Sequence, residues 1–241
     1  MSGIDSGAAA VIADNLGYLL WGRAAEGEPG GLLLTLLIAT ASGLLALILG
    51  SALAWLAWFA PRAVRRLLFV LADLLRGIPL LLLIFWLYFL LPLVLGKGAP
   101  DAASVVMALG LFCAVSVMHV ILAGLEAVPP GQDEAARAAG LGAWPALRLV
   151  LLPQALPAML PSLINLYVAL IKDTSMAFIV SVPELTLLTS QVNNRTMIYP
   201  LPLFFSAGAL YFTVCAALAG GGRRLERRLS RHLVCRPGAI H

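Results

Sequence analysis

Residues 31–59 read GLLLTLLIATASGLLALILGSALAWLAWF, with no charged side chain from Gly31 to Phe59. A bilayer-spanning helix needs about 20 apolar residues, and this stretch exceeds that. Four more apolar runs follow: Leu67–Leu95, Ala102–Leu125, Ala155–Val182 and Leu201–Gly220. The chain of 241 residues is 61% hydrophobic and 12% charged, with a mean hydropathy of +0.96. Soluble domains are about 45–50% apolar and about 25% charged. A water-soluble globule is excluded, because the charge is too sparse to cover the apolar surface. The same apolar excess excludes disorder. The expectation is an all-α polytopic membrane bundle, a single domain over residues 1–241 with five transmembrane helices and a polar loop at residues 126–153. Ile12–Trp21 reads as a short interfacial helix with Tyr18 and Trp21 at headgroup depth. Asp5, Asp14 and the lack of a basic start set Met1–Trp21 apart from a conventional signal peptide.

Charge placement predicts the orientation. Arg62, Arg65 and Arg66 follow the first run, Arg137 and Arg148 lie in the polar loop, and six arginines from Arg223 to Arg236 fill the tail. The segments on the other side hold only Arg23, Lys97 and Arg195. Eleven against three predicts a cytoplasmic C-terminus and an external N-terminus. The net charge of +4 is then a topology signal, and no nucleic-acid partner is expected. The basic tail suits anionic membrane lipid. Three cysteines, in no zinc spacing, and three scattered histidines predict no metal site. The first run also carries Ala39/Gly43 and Ala46/Gly50/Ala54 at four-residue spacing, either a close-packing helix face or a by-product of composition.

The chain has no G-x-x-x-x-G-K-[ST], so it carries no P-loop of its own. Its most informative stretch is Pro130–Pro153, PGQDEAARAAGLGAWPALRLVLLP. Pro130 suits a first helical turn, Asp133 and Glu134 suit the positive end of the dipole, and Gly140 and Gly142 supply stop and turn positions. A second short helix is expected over Trp144–Leu152, ending at Pro153. Two short helices with an alanine-rich surface would form a knob able to seat in a groove of another protein, or an ordinary hairpin between spans.

Glu134-Ala135-Ala136, then Gly140, then Val150, Leu152 and Pro153 keep every spacing of the EAA loop, with Val150 in place of isoleucine. The chain resembles the permease subunits of ABC importers, in particular the polar amino acid uptake family. The likeness covers nearly the whole chain: Arg76-Gly77-Ile78-Pro79, Gly131-Gln132, Pro153-Gln154-Ala155, Lys172-Asp173-Thr174-Ser175 and Glu184-Leu185 all stand where that family has related motifs. The resemblance implies a multi-pass protein of the bacterial inner membrane and two permease subunits, identical or paralogous. It also implies ABC ATPase subunits docked on the EAA loops and a periplasmic or extracellular amino acid binding protein. ATP and Mg2+ would be held by the ATPase, with no cofactor in this chain, which would be non-catalytic.

Polar residues within the runs mark a candidate pathway. Arg76 and Asp73 share a helix face, as pathway groups or as a local ion pair, and Pro79 should kink their helix. Lys172 and Asp173 are adjacent and point apart, so they serve either a cavity or a hinge between subunits. Thr174, Ser175 and Pro183 then predict a helix interruption of the kind transporters use. Asn165 and Tyr167 lie lower on the same span. The family often has A-Y-x-x-E-x-x-R in the third span, and the aligned positions here are Val115, Ser116, His119 and Leu122. His119 in place of the acid favours an acidic substrate such as glutamate or aspartate, unless a paralogous partner holds the site. The alternative is a standalone secondary carrier, which would need an internal repeat that the sequence does not display.

Overall fold

The computed structural model describes residues 2–95 and 101–234. Lys97, Cys235, Arg236 and His241 lie outside them. In chain order the elements are α1 (Ser2–Trp21), a small hairpin of β1 (Gly22–Arg23) and β2 (Glu28–Pro29), α2 (Gly31–Phe59), α3 (Arg62–Gly77) and α4 (Leu80–Leu95). Then come α5 (Asp101–Glu126), α6 (Gln132–Ala138), α7 (Ala143–Ala146), α8 (Leu152–Asp173), α9 (Leu185–Thr196) and α10 (Pro200–Val234). The bundle has two ends, one marked by the β hairpin and the other by α6 and α7.

The central packing is α2 against α5, and small residues make it possible. A Cβ at Gly50 would lie 2.5 Å from the Ala114 carbonyl oxygen, and one at Gly110 would lie 2.6 Å from Leu45. Ala39, Ala46 and Ala54 are fully buried. The four-residue spacing of small residues is therefore a packing face, as in other close membrane helix pairs. Gly50→Ala is expected to overpack this contact at about 1–3 kcal/mol. The check is a lower unfolding midpoint in detergent, and an unchanged midpoint would contradict the close approach.

The second apolar run is not one continuous span. It breaks at Ile78-Pro79 into α3 and α4, bent by 95°. Proline lacks the donor and pushes its predecessor out of the helical region, and Ile78 is extended at φ −80°, ψ 128°. The kink expected at Pro79 is thus a full break. The fourth run also differs from its expected bounds, since α8 begins at Leu152. The last helix, α10, continues past Gly220 as a basic extension. At the N-terminus, the helix expected over Ile12–Trp21 starts at Ser2.

At the hairpin end, α9 is pinned by Glu184, which is fully buried. Its carboxylate accepts from the backbone N–H of Thr186 (2.8 Å) and of Leu187 (2.9 Å) and from the Tyr211 hydroxyl (2.7 Å). This caps α9 and ties it to α10. Burial pushes the Glu184 pKa up, and the donated hydrogen bonds pull it part of the way back.

Candidate functional site: an exposed loop and the polar face behind it

The loop at the far end is built by glycine and proline geometry. Gly131, at φ +94°, precedes α6, so Pro130 lies in the turn before the helix and not in its first turn as expected. The helix ends at Gly140, φ +86°. There the Gly140 N–H donates to the Arg137 carbonyl (2.9 Å) and the Leu141 N–H to the Ala136 carbonyl (3.1 Å), the paired bonds of a Schellman end. The second short helix does not stop at Pro153. It runs from α7 through a π turn, Leu147–Leu151, directly into α8. Pro153, Pro157 and Pro161 recur every four residues, and each removes a backbone donor. A π turn is a common way to absorb such a defect. The Gln154 amide donates to the Val150 carbonyl (2.9 Å) and to Gln132 Oε1 (3.2 Å), joining the start of α6 to the start of α8.

The motif positions divide by exposure. Glu134, Ala135, Gly140 and Pro153 face outward, Ala136 is buried, and Val150 and Leu152 are half-buried. Beside the last two, Leu147 and Leu151 are buried in the core formed with α2 and α5. The knob therefore presents an alanine surface with the free Glu134 carboxylate beside the exposed Asp133–Arg137 pair, while its apolar half seats it on the bundle. Aromatic contacts hold it against α2, and an ion pair sits where α5 leads into the loop. The Trp144 ring meets Trp55 edge-on at 6.1 Å and Phe59 at 6.3 Å, both on α2, and Arg65 of α3 pairs with Glu126 at the end of α5.

Behind the loop, α8 turns one open face outward: Ala158, Ser162, Asn165 and Lys172 are all exposed. Their spacing of 4, 3 and 7 places them on one side of a helix. In a chain of such apolar composition, a continuous strip of small and polar residues is not a lipid-facing surface. Asp173 sits at the end of this helix and lines a cavity of about 120 Å3 with Ser116, Cys113 and Leu80. Leu80 is the first residue of α4, so the break in the second span opens beside Asp173. Thr174 is buried, with its hydroxyl donating to the Ile171 carbonyl at 2.7 Å. Ser175 is half-buried, and a 3-10 turn, Thr174–Val180, replaces the α-helix there. The α-helix thus changes to a 3-10 turn after Asp173, but the helical path runs on to Val180 and breaks only at Ser181, φ +60°, ahead of Pro183.

Other sequence-predicted residues are placed apart. His119 borders a separate cavity of about 360 Å3 with Gly124, Met159 and Ser162, closer to the loop end. Its Nδ1 lies 2.8 Å from the Val115 carbonyl, and its Nε2 lies 4.0 Å from Asp73. Asp73 thus faces His119, and among the described residues it forms no ion pair with Arg76. Arg76 is exposed on α3 beside the Pro79 break. Tyr167 turns the other way, its hydroxyl 2.9 Å from that of Thr40 on α2. Asn165 lies in a groove with Arg223 and Glu226 of α10. The sequence reading named Gln154 only within a motif and Trp144 only as a helix start, without their contacts, and did not name Ser162 or Glu226. The prolines at four-residue spacing and the tryptophans closing the first run were the available signals.

Residues 46–231 match the family described as the binding-protein-dependent transport system inner membrane component. Among curated relatives, the probable glutamine ABC transporter permease protein GlnP of Bacillus subtilis is 34% identical over 200 residues, covering 82% of this chain and 91% of its own. The glutamate/aspartate import permease protein GltK of Escherichia coli is 31% identical over 232 residues, covering 90% and 96%. The arginine transport system permease protein ArtQ of Bacillus subtilis is 31% identical over 199 residues, covering 83% and 90%. Of solved structures, an amino acid ABC transporter with histidines superposes with a TM-score of 0.73 at 26% identity, covering 82% of this chain and 92% of that one. The inward-facing MetNI methionine ABC transporter shares the fold, with a TM-score of 0.72 at 20% identity and coverage of 81% and 93%.

Proposed function

Because the chain belongs to the family of binding-protein-dependent transport system inner membrane components, we propose that it is the permease subunit of an ATP-driven amino acid importer. It spans the membrane several times, with the α6–α7 end in the cytoplasm, as the eleven-to-three bias of basic residues suggests. The observation that carries the reading is the knob: an exposed alanine surface with Glu134 at its tip, closed by Gly140 and held on the bundle by Trp144. Such a surface lacks any chemistry of its own and fits a groove on a separate ATPase, which holds ATP and Mg2+.

Two permease subunits, identical or paralogous, face each other across the open side of α8. An external binding protein delivers the substrate at the hairpin end. Lys172 and Asp173, with Thr174 and Ser175 in the turn that follows, form the midplane part of the pathway. Arg76 and His119 flank it nearer the cytoplasm. The substrate class is a polar amino acid, and glutamate and aspartate are the first to test, since His119 stands where an acidic residue is usual.

The test is co-expression of the tagged chain with its genomic neighbours. An ATPase should co-purify, and reconstituted vesicles should take up amino acid only with ATP and binding protein. Uptake that survives without ATP and collapses with an ion gradient would instead identify a secondary carrier. Trp144→Ala should retain ATPase binding while lowering uptake per ATP several-fold, because the knob loses its edge-to-face contact with α2, worth about 0.5–1.5 kcal/mol beyond area burial. Equal coupling in mutant and parent would rule out this contact as a transmission point.

A further inference from the structure

The groove between α8 and α10 meets the pathway described so far only at Asn165. It encloses about 240 Å3 and is lined by Pro161, Ile164 and Asn165 of α8 and by Ala219, Gly222, Arg223 and Glu226 of α10. The two helices come close because Gly222 has no side chain: a Cβ there would lie 2.7 Å from Ile164. The spacing 219, 222, 223 and 226 puts the four α10 residues on one face. Arg223 and Glu226 form no salt bridge with each other or with a third group among the described residues. The groove therefore offers one cation, one anion and one amide to whatever enters it.

The geometry points to a second binding station here, for the zwitterionic backbone of a free α-amino acid. This rests on the importer reading and deepens it. The Arg223 guanidinium suits the α-carboxylate, which its planar fork holds through two parallel hydrogen bonds. Glu226 takes the α-ammonium, and the Asn165 amide both donates and accepts. The amino acid side chain then lies along the open face of α8 over Ser162 and Ala158, whose small size leaves room for different side chains. The station is distinct from the midplane cavity. Asn165 and Asp173 are eight residues apart, about 12 Å along the helix axis at ~1.5 Å per residue. It faces the cytoplasmic end, so it is filled from the product side of transport.

The same pair of charges would suit an aminophospholipid headgroup. The amino acid is preferred because the groove is continuous with the polar strip that descends from Lys172, a surface unsuited to acyl chains.

The test uses the complete transporter with Cys113, Cys215 and Cys235 replaced by alanine and Ala219→Cys as reporter. Ala158→Cys serves as a second reporter in case the first perturbs folding. A charged, membrane-impermeant thiol reagent is applied from the cytoplasmic side. A millimolar mixture of the proteinogenic L-amino acids should slow modification several-fold, and N-acetylated or amidated amino acids should not. R223Q or E226Q should abolish the protection while leaving the reporter reactive. The proposal is overturned by any of three results: protection that survives both substitutions, no protection with either reporter, or reporters that never react. It is also overturned if the amino acids protect only in vesicles free of phosphatidylethanolamine, or if phosphoethanolamine protects as well as they do, because the groove is then a lipid site. Failure of the importer reading shows separately, as an unsubstituted complex with neither ATPase activity nor uptake.

Discussion

A transporter carrying Gly140→Asp is expected to keep its spans and lose its coupling. Gly140 sits at φ +86°, where a side chain other than glycine costs about 1–2 kcal/mol. Nothing lies within 4 Å of a Cβ built there, so the cost is conformational and the bundle is untouched. The new carboxylate would also stand at the negative end of α6, which the helix dipole disfavours. Relief comes from unwinding the Schellman end, and that changes the knob an ATPase must recognise. ATP-driven uptake in reconstituted vesicles should fall at least about tenfold, equivalent to ~1.4 kcal/mol of coupling. Glu134→Lys should act similarly by reversing the only exposed motif charge at the start of the helix. Arg137→Ala is the control, since its exposed pair with Asp133 at 2.8 Å is worth only about 0.3–0.5 kcal/mol. Unchanged uptake in both knob variants would remove the coupling role.

Asp173→Asn should leave ATPase binding intact and reduce uptake at least as strongly. Asp173 is half-buried beside the α3–α4 break, its neighbour Lys172 is exposed, and neither forms an ion pair among the described residues. A charge left in an apolar chain without a protein partner awaits one, from substrate or from the second subunit. Removing one member of a buried charge pair costs about 2–5 kcal/mol. The two possible partners are separable. Loss of uptake with an intact permease pair assigns Asp173 to the pathway, and dissociation of the pair in detergent assigns it to the subunit hinge. Wild-type uptake and an intact pair together would leave it neither role.

The membrane class and the knob were legible because both depend on local rules. Apolar runs without charge define spans, and the glycine at Gly140 marks a turn that few other residues tolerate. Contacts between distant segments were not legible. Asp73 shares a face with Arg76 in sequence, yet it turns to His119 because α3 packs along α5. The break at Pro79 and the continuity through Pro153 show the same limit. Both are prolines in apolar helical surroundings. One breaks the chain by 95° and the other is absorbed by a π turn, and only the neighbouring packing decides which. The Trp144 contact depends on where α2 ends in space, which periodicity does not encode.

The π turn at Leu147–Leu151 has a consequence for angular phase. An α-helix advances about 100° per residue, whereas a π turn closes its hydrogen bonds one residue later. Between Trp144 and Asp173 the chain has no flexible joint, only this one local change of pitch. The direction in which Asp173 points is thus keyed to the direction in which the knob points, and the extra residue in the turn sets the offset. If the knob docks on an ATPase, a displacement of the knob would be carried along this helix to Asp173 with that fixed angular offset. Three prolines along this rod each remove one backbone donor, so it is softer than an unbroken α-helix of the same length.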